Sequence, residues 1–493
     1  MLFNSHVFVL LFLPLVWFGF DQLRRKSNDS RGVLSWLLLV SIIFFIWWEP
    51  RDLPILLGSI VVNYLIARVL GRDAVKPPRF LLGAGVTANL ALLGWFKYRG
   101  MAAETLNEFG VEVSVPEVVL PLAISFFTFQ QIAYLIDVSR GLKPERSLLR
   151  YAVFVSFFPQ LIAGPIVHWR EMMPAFDRLQ RRDRMSDLAI GLSVFAIGLA
   201  KKVLVADSLA PLADGVFDAT GSGVVPDSPD AWLAMFAYGL QLYFDFSAYS
   251  DMALGIARML GVDLPVNFLS PYRAKNISEF WRRWHITLSR FLRDYLYIPL
   301  GGNRRGRLLT YRNLLITMAL GGLWHGAHWT FLAWGLWHGV GLALHRLWRT
   351  FRPAPRPYTV LGQVIRRVLG ITATFLFVSL GWVLFRSEDM PTAIRMYSAL
   401  ITVPSDFSGW LGANREGLLW VGGSAALAML APNTAQIFSR YRLGLWPQGA
   451  WQEFGPGPLS FRARPFWAVL IAVLLLASLL SLSRESVFLY FQF

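Results

Sequence analysis

VLSWLLLVSIIFFIWW, at positions 33–48, runs for sixteen residues without a charged side chain. Crossing the hydrocarbon of a bilayer takes roughly 20 apolar residues as a helix, so this run with its flanks is long enough to span. Further runs of the same kind lie on either side, at 7–20, 53–70, 120–136, 188–206, 233–259, 368–385, 418–431 and 466–482. The 493 residues are 55% hydrophobic and only 16% charged, against about 25% charged in soluble proteins. Counting the interrupted stretches as well, about 11 to 13 segments are expected in the membrane. The expectation is an all-α polytopic helical bundle forming a single domain over 1–493, with re-entrant and interfacial amphipathic helices.

The first apolar run carries no Lys or Arg ahead of it and no small-residue cleavage pattern after Phe20, so it reads as a retained helix. Cysteine is absent, which excludes disulfides, thiolate catalysis and any acyl-thioester on the chain. The formal charge of +16 in so apolar a chain points to Lys and Arg gathered in cytoplasmic loops, with no soluble module to carry nucleic acid.

Loop charge orients the bundle. Arg24, Arg25, Lys26 and Arg31, and the basic segments 72–79, 140–150 and 346–356, are assigned to the cytoplasm. Glu104, Glu108 and Glu112, and then Asp214, Asp218, Asp227 and Asp230, face outward. Both termini are therefore expected outside.

Three stretches break the alternation. Residues 151–169 have basic groups on both sides, among them Arg150, Arg170, Arg181 and Arg182, and Pro159, Gly164 and Pro165 interrupt the middle. This reads as a re-entrant hairpin, and broken backbone at membrane depth predicts an adjoining cavity. Residues 273–312 hold ten Lys or Arg against two acids, too many to span. Aromatics at helical spacing predict an amphipathic helix over 278–296 along the cytoplasmic interface, N-capped by Ser278. Residues 314–344 have basic groups at both ends and Gly321 and Gly322 inside, which favours a hairpin or two tilted half-helices over one long crossing. The proline-bearing loop 352–367 and the Gly/Pro-rich loop 440–464 are the expected linkers.

An ionisable side chain in the membrane is costly and marks a functional candidate. His325 lies in GGLWHGAHW (321–329), where glycines permit close backbone approach and tryptophans form a rigid wall. A neutral imidazole there can take a hydroxyl proton, as acyl transfer requires; a packed structural histidine is the competing reading. His328, three residues on, lacks a nearby carboxylate to complete a metal set, so no metal is expected. His338 and His345 read as interfacial. His285 sits at the edge of the aromatic stripe, either facing the interior or snorkelling to the interface. Arg282, Arg283, Arg290 and Arg293 can hold a phosphorylated donor or lipid phosphates. Asp245 and Asp251 need partners at depth, with Lys201 or Lys202 the candidates, or an imidazole to orient.

SEFWRRWH (278–285), LGGN (300–303), LWHGAHW (323–329) and WGLWHG (334–339) together resemble the membrane-bound O-acyltransferase family, in the branch of the membrane component of bacterial alginate O-acetyltransferase. The likeness extends from FNS (3–5) through FFPQLIAGP (157–165) and YFDFSAYSD (243–251) to FLYFQF (488–493). The resemblance implies a bacterial inner-membrane enzyme with catalytic positions at His325 and His285. It implies no bound cofactor, and a cytoplasmic acyl donor such as acetyl-CoA as substrate. The acetyl group is expected to pass to a periplasmic acetyltransferase of the SGNH-hydrolase-like type, which modifies an alginate-like exported polysaccharide. His325 is expected to activate the acceptor hydroxyl and His285 to position or polarise the donor carbonyl, with Arg282 and Arg283 on the donor. Asp245, Tyr249, Trp281 and Trp324 are expected to line the cavity. The alternatives are D-alanyl transfer to teichoic acid, O-acetylation of peptidoglycan or cellulose on the same scaffold, and a non-catalytic polysaccharide or lipid transporter.

Overall fold

The computed structural model describes all residues except 27–28, 73–77, 117, 180–182, 352–358, 404–406, 483–487 and 490–493. Arg181, Arg182, the prolines of the 352–358 loop and the last four residues of the closing FLYFQF string therefore lie outside the described residues. Among the described residues the chain is helical, with a single isolated bridge between Pro265 and Leu445 and no strand. Five helices there are long and apolar enough to cross a membrane: Ser30–Trp48, Pro50–Leu70, Arg79–Lys97, Arg184–Gly221 and Val360–Arg386.

The 32-residue helix Ser228–Met259 runs through the middle, buried along nearly its whole length. It packs against Arg184–Ala200 at a distance that only glycine allows. A Cβ on Gly191 would lie 2.5 Å from the carbonyl oxygen of Gly255, the close approach small residues provide where no hydrophobic effect draws helices together. The first helix meets the last long helix, with His6 Nε2 3.3 Å from the carbonyl oxygen of Leu479.

The stretch 151–169 does double back. Leu148–Ser156 enters, a short turn of helix Phe158–Leu161 follows, and Trp169–Arg178 leaves. Arg150 on the way in pairs with Asp177 on the way out at 2.9 Å. None of the residues lining the cavities described below belongs to it. Protein groups satisfy the freed backbone instead: Gln130 and Gln160 both donate to the Phe154 carbonyl (3.0 and 2.7 Å), Ser41 Oγ accepts from Phe158 N–H, and Thr287 Oγ1 accepts from Ile166 N–H. The hairpin is a packed plug.

The interfacial helix expected over 278–296 is also corrected. Its N-cap is Asn276, whose side chain accepts from Glu279 N–H, and the first helix is only Ile277–Trp281. The chain breaks at His285 and resumes as Ile286–Leu292. The break occurs because a neighbouring extended segment bonds into it: Leu269 N–H donates to the Arg283 carbonyl and Ile286 N–H to the Asn267 carbonyl, each at 3.0 Å. Phe280, Trp284, His285 and Leu288 are all buried, so the segment belongs to the interior of the bundle. By contrast the hairpin expected over 314–344 is present as Arg307–His325 and Trp329–Phe351, joined by three residues.

Candidate active site between two cavities

His325 is the last residue of its helix, where four carbonyls lose their intrahelical partners. Two side chains from the end of another helix bond three of them. Tyr98 Oη donates to the Leu323 carbonyl at 2.8 Å, and Lys97 Nζ donates to those of Trp324 and His325 at 2.6 and 3.0 Å. An ammonium at a helix C-terminus also meets the favourable end of its dipole. The returning helix is held tight against this one, since a Cβ on Gly335 would lie 2.2 Å from the Met318 carbonyl oxygen. The imidazole is walled edge-on by Trp334 and Phe385, each with ring centroids 5.2 Å away.

His285 is wholly buried and takes a left-handed backbone, φ 41° and ψ 54°, which for a non-glycine residue costs about 1–3 kcal/mol and tends to mark functional sites. Its Nδ1 lies 3.2 Å from Asn267 Oδ1, and its Nε2 has no hydrogen-bond partner among the described residues. The rings of His285 and His325 meet edge-on with centroids 6.3 Å apart. Two residues that the sequence placed 40 positions apart are thus neighbours.

A cavity of about 890 Å³ opens beside Arg282, three residues from His285, and Lys275, His345, Arg349, Arg366 and Arg367 also line it. Among the described residues no carboxylate contributes to its wall, so it suits a multiply charged anion. A second cavity of about 640 Å³ is lined by Gly326, Phe385, Lys97, His328, Arg386 and Glu388. The helix Val360–Arg386 touches the first cavity through residues up to Gly370 and the second from Phe385 onward. Those positions are roughly 22 Å apart at 1.5 Å per residue. The cavities therefore lie toward opposite ends of one spanning helix. The histidine pair relates to both: His285 follows the cavity-lining Arg282 by three residues, and His325 precedes the cavity-lining Gly326 and packs on Phe385.

Other expected residues fall elsewhere. Arg283 points away from the basic cavity, bound to Glu279 at 2.5 Å and to Glu453, because its buried charge takes the nearest carboxylates. Trp324 packs on both histidines (centroids 5.0 and 6.3 Å), whereas Trp281 packs on Trp334 and His338 (5.9 and 5.1 Å). Neither is among the residues lining these two cavities, nor are Asp245 and Tyr249. Asp245 pairs with Lys202 at 2.7 Å, and Tyr249 packs between Phe3 and Phe488. His338, expected near the interface, is fully buried among Phe280, Trp281, Trp334 and Phe377. His345 does line the basic cavity. Sequence reasoning missed Lys97, Tyr98 and Asn267. A cation closing the apolar run 79–97 was a usable signal for the first; nothing local distinguishes Asn267.

A pair of buried imidazoles with a water-accessible space on each side can accept and return a proton during group transfer. The family model described as MBOAT, membrane-bound O-acyltransferase family, matches residues 144–381, a span that includes Asn267, His285 and His325. The chain is 41% identical over its full length, and the relative's full length, to the "Probable alginate O-acetylase" of Azotobacter vinelandii. It is 43% identical to the peptidoglycan O-acetyltransferase of Helicobacter pylori, over 81% of this chain and 80% of that one. Similarity reaches the teichoic acid D-alanyltransferase of Streptococcus thermophilus at 29% identity, over 46% of this chain and 57% of that one.

Proposed function

The chain belongs to the membrane-bound O-acyltransferase family, and from that premise we propose that it carries an acetyl group from a cytoplasmic donor across the bacterial inner membrane for O-acetylation of an exported, alginate-like polysaccharide. The observation that carries this reading is the histidine pair between two cavities of opposite aspect. Loop charge puts the basic cavity on the cytoplasmic side and both termini in the periplasm. Six basic or imidazole side chains there suit the phosphates of acetyl-CoA or a similar donor. The mixed cavity beyond His325 suits the nucleophilic group of a periplasmic acetyltransferase of the SGNH-hydrolase-like type.

The chemistry asks little of the protein. An acceptor hydroxyl loses its proton to an imidazole as its oxygen attacks the acyl carbon, and the proton returns to the leaving group. With no cysteine in the chain, direct transfer between donor and acceptor is the simplest route. The 43% identity to a peptidoglycan O-acetyltransferase supports peptidoglycan as a second acceptor class. Family membership sets aside the transporter alternative.

Deleting the gene and restoring it as wild type or as His325→Ala tests the proposal. Ester-linked acetate on the exopolysaccharide should vanish on deletion and return only with the wild type. Acetate lost instead from peptidoglycan would move the proposal to the second acceptor, and acetate restored by His325→Ala would refute it.

A further inference from the structure

His338 is wholly buried, and neither nitrogen of its ring has a hydrogen-bond partner among the described residues. Two tryptophans packed on it share that condition. Trp281 and Trp334, with ring centroids 5.1 and 4.9 Å from the imidazole, are buried with their indole N–H groups unpaired among the described residues. Elsewhere in the chain Trp36, Trp232, Trp337, Trp382, Trp410 and Trp446 each donate to a protein oxygen. Buried polar groups left open together call for a partner from outside the chain. Gly381 on the neighbouring helix presents no side chain to His338 Nε2, where a Cβ would lie 3.2 Å away. The cluster lies on one face of the helix Trp329–Phe351, along which Phe331, Trp334, His338, Gly341, His345 and Trp348 follow at helical spacing. Phe331 lines the mixed cavity, while His345 and Trp348 line the basic one. Trp334 packs on His325 with centroids 5.2 Å apart, and Trp281 precedes the cavity-lining Arg282. The unpaired nitrogens therefore stand between the basic cavity and His325.

We infer that His338, Trp281 and Trp334 form a binding site for the amide-bearing arm of the acyl donor. The inference rests on the reading of the basic cavity as the donor's phosphate site and of the histidine pair as the place of transfer. A thioester of the coenzyme A class carries two secondary amides between its phosphates and its thioester. Each amide offers one acceptor and one donor. The cluster offers the complement: two indole N–H groups and an imidazole, which in its neutral form has one N–H and one lone pair. The lengths agree as well. From His345 to Trp334 the helix runs roughly 16 Å at 1.5 Å per residue, and an arm of about a dozen bonds, equal to some four extended residues, covers roughly 14 Å. Phe377 lies over Gly341 in the middle of this face, where a Cβ would be 2.4 Å from its ring, so that ring turns aside for the arm to enter. No bond is made or broken here. The site holds the arm so that the acyl carbon meets the histidine pair.

Two fragments of acetyl-CoA, used as inhibitors of turnover by full-length protein in nanodiscs, separate this site from the basic cavity. Pantetheine carries the amides without the phosphates, and adenosine 3′,5′-bisphosphate carries phosphates without the amides. His338→Phe should raise the inhibition constant of pantetheine by about tenfold or more, as expected for two neutral hydrogen bonds, and leave that of the bisphosphate unchanged. Arg282→Ala should do the reverse, by a few-fold. Pantetheine that inhibits wild type and His338→Phe equally, or does not inhibit the wild type, would overturn the inference. A rise in both constants with His338→Phe would also overturn it, since lost packing alone produces that. If His338→Phe does not fold, Trp281→Phe decides in its place: it removes one N–H, keeps an aromatic ring, and should raise the pantetheine constant alone by about fivefold. Wild-type protein that turns over acetyl-CoA while giving one of the contrary outcomes refutes this inference and leaves the proposed function standing. Wild-type protein that does not use acetyl-CoA refutes the proposed donor itself.

Discussion

The central helix Ser228–Met259 carries two polar clusters that differ in one respect. On one face, Asp245 is held by Lys202 at 2.7 Å and by the Leu489 N–H at 3.0 Å, while Asp207 takes a second contact from Lys202 at 2.8 Å. Asp251 pairs with Lys201 at 2.8 Å and accepts from Thr434. On another face, Phe246 and Ser250 approach the His285 site, where a wholly buried nitrogen has no partner among the described residues and the backbone is strained. Buried polarity that is saturated builds the fold. Buried polarity left open beside water-accessible space is where a reaction can occur.

The largest effect expected from this contrast is on turnover. His325→Ala and His285→Ala should each lower acetyl transfer by about 10³-fold or more, with thermal unfolding in detergent close to wild type. A comparable loss of unfolding temperature would place these residues with the structural cluster. Lys202→Ala should do the reverse: leaving two carboxylates buried without their cation should destabilise by about 3–5 kcal/mol, seen as poor recovery of folded protein. Lys202→Met combined with Asp245→Leu should regain much of that stability. Lys97→Met tests a residue between the two classes. It should cost about 1–2 kcal/mol of stability by uncapping the helix that ends at His325 and lower kcat by roughly tenfold through misplacement of that residue. The smallest effect belongs to Arg282→Ala, one of several cations in an open cavity. A few-fold rise in KM for acetyl-CoA, shrinking as salt is added, is expected with kcat unchanged.

How legible each region was follows from the range of the interactions that make it. Long uncharged runs and basic loops at both ends of 314–344 announced helices and a hairpin, because membrane length and loop charge are local properties. The glycines and tryptophans around His325 were visible for the same reason. The pairing of Lys202 with Asp245 was among the partners expected, since a carboxylate at depth has few choices. The break at His285 was not visible: periodicity over 278–296 favours one helix, and the backbone hydrogen bonds from Asn267 and Leu269 that interrupt it come from a distant part of the pattern. Arg283 and Arg282 are adjacent in sequence, yet Glu453 draws only one of them away from the cavity. Asn267 could not be found at all, because its meaning lies in which atoms face it.

Sidedness is the most direct test of the account. Wild-type protein and His325→Ala would be reconstituted with uniform orientation in sealed vesicles, with labelled acetyl-CoA present only on the side of the Arg282 cavity and the acetylatable partner only on the other. The account predicts that label accumulates on the partner with the wild type and stays at background with His325→Ala. Label reaching the partner only when donor and partner share one side would contradict it.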